Sequence, residues 1–272
     1  DNYKGLQILD VSNVASPTLV GSLATGENAF GVALSSDGHY VYVTDNGGSN
    51  SGLQVVSLGS SSPGTGGGPI GFGGTVDGGY ALSVNGTTDF HGEIGGTTPL
   101  ASLTTEGGDT SLGGNVTTTG NQKFGSDVTL TGDTKFVSGN LFDLSGLVGG
   151  GYNVEIDAGS AAIDAETYGV SGVADLTVPG DVGLNGVITT TGNQLYSGEV
   201  GLLGDTTLVA GTGSISLGTG GEVIGVSHTL TLGDASQTGA VTLGGSVDID
   251  GLEVGQGAFD LSITTSQGDS FN

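Results

Sequence analysis

Carboxylates one residue apart are the chemistry-bearing pattern that recurs in this chain: Glu155 and Asp157 in VEID, Asp248 and Asp250 in VDID. On a β-strand, positions i and i+2 face the same side, so each pair presents two carboxyl groups together. Two such groups can share acid and base roles in cleaving a glycosidic link. Lyase chemistry on sugar acids also draws on Arg or Lys beside the substrate carboxylate, and the chain has no Arg and only three lysines, Lys4, Lys123 and Lys135. The same period of two puts acids on the wet side of any half-buried strand. The pairs are therefore expected to solvate a surface rather than to catalyse, and an enzyme is not expected.

A second pattern is TDNGGSNSG, where Asp45, Asn46, Ser49 and Asn50 offer oxygen ligands that could wrap a hard cation such as calcium. Asx- and Gly-rich loops are also ordinary turns, and the GGxGxDx nonapeptide of calcium-binding β-rolls is missing. His39, His91 and His228 have no second histidine at a metal-ligand spacing, so zinc is not expected. The threonine runs 117–119 and 189–191 are strand formers rather than a flat ligand-binding array, since two triplets do not make a ladder. Aromatic residues without tryptophan give thin support for a sugar-stacking platform.

The elements that must position these groups are short strands. Runs such as DVTLTGDTKFV and HTLTLGD alternate apolar with polar residues, the mark of strands with one buried face. Glycine fills 58 positions, yet no strict three-residue period and only five prolines accompany it, which excludes a collagen-like polymer. The strongest organising feature is a 72-residue unit: Leu112–Gly139 recurs as Leu184–Gly211, with 15 of 28 positions identical. A long period filled with short strands predicts a stacked solenoid. Gly108-Asp109 and Gly132-Asp133 stand 24 apart and the second copy repeats that spacing, so a 24-residue coil is favoured over an 18-residue one.

Residues 1–58 differ in texture, with longer β-runs and an Asp37-Gly38 hairpin turn, and predict a five-stranded antiparallel meander. Residues 59–71 (GSSSPGTGGGPIG) read as a Gly/Ser/Pro linker, and 72–272 as the repeats. The predicted fold is all-β: a parallel β-helix preceded by a small antiparallel, propeller-blade-like sheet.

Charge narrows the partners. Twenty-eight acids against three lysines give a net charge of −25, which repels nucleic acid and disfavours anionic membrane surfaces. No apolar run is long enough to span a bilayer as a helix. Cysteine is absent, so disulfides and thiolate metal sites are excluded. A chain that begins at Asp1 with no methionine is expected to be a processed product or an excerpt.

The stretch GLQILDVSNVASPTLVGSLATGENAFGVALSSDGHYVYVTDNGG resembles the LVIVD-type repeat of bacterial surface β-propellers. IGFGGTVDGGYALSVNG, LGGNVTTTGNQKFGSDVTLTGDT and ITTTGNQLYSGEV resemble the glycine-rich strand repeats of large secreted proteins of the filamentous haemagglutinin-like kind. That second resemblance implies an extracellular, cell-surface location and a structural or adhesive role, as part of a fibre, filament or biofilm matrix, and it carries over no catalytic residues. Expected partners are other copies of the chain, joined head to tail through the open sheet of residues 1–58 and the end near Phe259–Thr265, and cell-surface or matrix polysaccharide. A carbohydrate-active enzyme or sugar-binding module on the same scaffold is the alternative.

Overall fold

The computed structural model describes residues 6–10, 18–23, 29–34, 40–45, 52–57 and 69–264. The described chain is all-β, with no helix, and forms a parallel β-solenoid of about ten turns. Successive strands alternate buried and open positions, as the sequence pattern requires: β7 (Ala81–Asn85), for example, buries Leu82 and Val84.

Three parallel ladders form the three faces of a prism. The first face carries the inward row Val55, Val84, Thr105, Phe124, Leu144, Ile163, Leu184 and Leu202, each residue paired with the one a turn away. Phe72, Phe90, Leu112 and Leu130 are inward on the second. Leu176, Gln194, Ile215, Val241 and Leu261 align on the third. Like side chains therefore stack from turn to turn: Phe72 lies parallel to Phe90 at 4.6 Å, and Phe124, Phe136 and Phe142 pack within 5.0–6.0 Å. One continuous apolar core fills the prism from Val55 to Leu243.

Turn length is not constant. Leu176 pairs with Gln194 one turn on, an advance of 18, whereas Ile215 pairs with Val241, an advance of 26. Neither the favoured 24-residue coil nor the 18-residue one describes the chain. Leu112 sits on the second face and its repeat partner Leu184 on the first, so one repeat unit covers three turns and two thirds. The repeat thus turns by one face between its two copies. Corner length varies because glycine corners tolerate insertion without disturbing the ladders.

The corners show why glycine is abundant. A Cβ on Gly213 would land on the Gly192 carbonyl one turn away, and a Cβ on Gly239 would land on Gly213. At a rung spacing of about 4.8 Å, backbone meets backbone at these corners and no side chain fits between.

At the amino-terminal end the antiparallel strands form two groups rather than one meander. β1 (Leu6–Asp10) and β2 (Thr18–Leu23) make their own two-stranded sheet. β3 (Ala29–Leu34), β4 (Tyr40–Asp45) and β5 (Gly52–Ser57) pair antiparallel in order. β5 then pairs in parallel with β7, so this small sheet continues directly into the first face. β6 (Ile70–Phe72) opens the second face. At the other end Val247–Val254 and Leu261–Thr264 form the last turn, and among the described residues nothing pairs with their outer edges.

Candidate functional site

The solenoid offers its corners and outward rows, and the most regular of them is built from Asn and Asp. On the corner leading into the third face, Asp133 Oδ1 accepts the Asn153 N–H (2.8 Å) and Asn153 Oδ1 accepts the Asp175 N–H (3.2 Å). Asp175 Oδ1 then accepts the Asn193 N–H (2.5 Å), and Asn193 Oδ1 the Ser214 N–H (3.0 Å). Each side chain thereby continues the ladder around a bend where carbonyls turn away, satisfying an amide that would otherwise face only water. Asn115, Asp133, Lys135, Asn153, Glu155 and Asp175 line a shallow groove of about 340 Å³ beside this row.

Sequence reasoning missed this ladder and a second feature inside the core. Gln122 and Gln194 are fully buried on different faces, yet they make the same bonds. Gln122 Nε2 donates to Val116 O (3.2 Å), Thr118 Oγ1 (3.3 Å) and Val137 O (2.8 Å). Gln194 Nε2 donates to Ile188 O (3.2 Å), Thr190 Oγ1 (3.3 Å) and Val209 O (2.9 Å). Three acceptors at one end fix which end of the amide is nitrogen. Their signal was the six-residue identity Thr117–Gln122 over Thr189–Gln194. The copies differ at the other amide end: Tyr196 OH donates to Gln194 Oε1 (3.1 Å), whereas Phe124 stands in that place beside Gln122, whose Oε1 has no partner.

The acid pairs are outward, as the period of two demands. Glu155 and Asp157 both bind Lys135, at 2.7 and 3.4 Å, while Lys123 binds Glu106 at 2.8 Å. Those hydrogen bonds and charges raise both lysine pKa values above the ordinary one. Asp248 and Asp250 are exposed on the last turn. The two threonine triplets lie on different faces, Thr117 on the third and Thr189 on the second, and form no common row.

Asp45 ends β4 opposite Gly52, while Asn46, Ser49 and Asn50 lie outside the described residues, as does His39. His91 is exposed, 3.5 Å from Asp89, and His228 lines a separate groove. Among the described residues no three His, Cys, Asp or Glu side chains converge as metal ligands, and no helix is long and apolar enough to cross a membrane.

Two acids are pushed the unfavourable way. Burial raises the pKa of Asp127, with Asp109 adding to it; Asp127 Oδ1 is enclosed and unpartnered, next to Gly146 and the Tyr168 ring, although the residue as a whole is only half buried. Burial also raises Asp143, which Lys123 partly offsets and Asp164 reinforces. Asp77 moves the other way, because the Thr97 and Thr98 amides donate to its Oδ1 at 2.8 and 3.1 Å.

No curated protein and no solved structure matches the chain. Residues 1–25 match the family described as the LVIVD repeat, while the described residues from 69 to 264 form the β-solenoid.

Proposed function

We propose that the chain is a structural or adhesive segment of an extracellular surface fibre or matrix, acting as a stiff spacer and not as an enzyme. The observation that carries this reading is the unbroken run of parallel ladders over about ten turns around one core. Every turn is held by its neighbours through backbone bonds, so load along the axis is shared by many rungs instead of resting on one contact. With 28 acids and three lysines in the chain, like charge keeps such strand-rich rods from clumping side by side.

Head-to-tail association with other copies would use the outer edges of Val247–Val254 and Leu261–Thr264, where Ile249, Leu252, Phe259 and Ile263 are only partly covered. At the opposite end β3 and β4 extend the first face alone, so a docking copy would meet an extended sheet there and the edge of β6 on the second face. Sedimentation velocity with negative-stain imaging tests this: the sedimentation coefficient should rise with concentration and the rods should lengthen. A compact monomer at every concentration would refute the association.

A matrix or cell-surface polysaccharide is the second partner class, and the groove around Glu155 and Asp175 supports the alternative of a sugar-binding or carbohydrate-active surface. Reducing-sugar release from acidic and neutral polysaccharides separates the two readings, since turnover lost on Glu155→Gln would make the chain an enzyme.

A further inference from the structure

One edge of the prism, between the first and second faces, breaks the rule that this surface is polar. Tyr168, Val187, Leu203 and Val226 come from four successive turns and are 49–70% exposed. Among the described residues no other edge of the solenoid carries large apolar side chains in successive turns. They follow one another turn by turn along this edge: a Cβ added to Gly169, next to Tyr168, would lie 3.8 Å from the Val187 carbonyl oxygen, and the Leu203 side chain lies over Gly183 of the preceding turn. Val187 and Leu203 line a groove of about 400 Å³ together with Glu166, Asn185, Asp205 and Ser227. Ser227, at φ 77°, is the one non-glycine among the described residues held in the left-handed region, a strain that tends to persist where a surface has a task.

The rim is acidic and set in place. Asn185 Nδ2 donates to Asp164 Oδ1 (2.9 Å) and Glu166 Oε2 (3.2 Å), while Asp205 Oδ1 accepts the Thr229 N–H (2.9 Å). None of these carboxylates takes part in the ion pairs of the described residues. Large apolar side chains left exposed on successive turns, two of them in one groove, mark a binding surface, and its charged border selects the partner.

We propose that this edge docks a polypeptide segment that combines apolar side chains with lysine or arginine. A second copy of the chain is a poor occupant: it has three lysines, two of them already paired with Glu106 and Glu155, and its own edge would set carboxylates against carboxylates. Three rung intervals of about 4.8 Å make the ridge roughly 14 Å long, the reach of four or five extended residues.

Fluorescence anisotropy on the full chain tests this with a labelled octapeptide of alternating Leu and Lys, against Gly-Lys and Leu-Glu octapeptides. The Leu-Lys peptide should bind most tightly, and the double variant Val187→Ser/Leu203→Ser should weaken it at least tenfold. Glu166→Gln/Asp205→Asn, which keeps an acceptor for the Thr229 amide, should flatten the salt dependence. Equal binding to all variants, Gly-Lys binding as tight as Leu-Lys, or no binding would overturn the proposal. So would a concentration-dependent dimer of the native chain that Val187→Ser/Leu203→Ser abolishes, because the occupant would then be a second copy.

Discussion

Tyr196→Phe removes one oxygen from the core and isolates a single hydrogen bond. Tyr196 is fully buried, and burial raises its pKa far above the ordinary phenol value, so its hydroxyl stays a donor across the accessible pH range. Its loss leaves Gln194 Oε1 in the state that Gln122 Oε1 already occupies, a buried acceptor without a partner. Leaving a buried acceptor unmade costs about 1–3 kcal/mol. The converse change, Phe124→Tyr, supplies Gln122 with its missing donor and is worth about 1 kcal/mol if the hydroxyl fits. Fit is the issue, because Phe124 packs edge-on against Phe136 at 5.5 Å, while the matching neighbour in the other copy is the smaller Leu208. Phe124→Tyr/Phe136→Leu should therefore gain more from the hydroxyl than Phe124→Tyr alone, measured against Phe136→Leu as the parent. Urea unfolding followed by circular dichroism reads all four variants as shifts in midpoint at unchanged slope. A Tyr196→Phe midpoint within error of the native one would refute the reasoning, since the acceptor would then cost nothing to orphan.

Gly213→Ala forces a Cβ onto the Gly192 carbonyl and should cost about 1–3 kcal/mol by overpacking, read in the same unfolding experiment. Asp127→Asn should stabilise the chain at neutral pH: a carboxyl whose folded pKa is raised binds its proton more readily in the fold, so its stability contribution falls as pH rises from the unfolded value through the folded one. The advantage should vanish below the ordinary carboxylate range in thermal melts taken across pH. Asp77 carries the opposite sign, and Asp77→Asn should lower the melting temperature above the unfolded carboxylate pKa and make no difference at more acid pH. Lys135→Gln should leave the urea midpoint close to the native one, with any shift shrinking in salt, because its carboxylate partners are half exposed.

Much of the fold was legible because each strand states its own burial. Alternation in DVTLTGDTKFV and the glycine corners are local signals, and the 72-residue repeat required stacking. Coil length was hidden because the faces are interchangeable: each asks only for one or two inward apolar residues per strand, so the same segment serves the third face at Val116 and the second at Ile188. Repetition in the sequence therefore tracks corners, not turns. The buried glutamines were masked by the threonines beside them, which draw the eye as a surface row although Thr118 and Thr190 point inward. The ladder from Asp133 to Asn193 was hidden by its uneven spacing of 20, 22 and 18 residues. The acid pairs were placed correctly on wet faces because period two alone decides that.

Disulfide cross-linking of designed cysteine pairs tests the winding most directly, and the chain's lack of native cysteine makes it clean. Thr177 and Leu195 face each other across one of the short turns, and Ser216 and Thr242 across a long one. The three-faced solenoid predicts that Thr177→Cys/Leu195→Cys and Ser216→Cys/Thr242→Cys both close under mild oxidant, while Thr117→Cys/Thr189→Cys, on different faces, does not. A bond in the last pair, or none in the first two, would contradict it.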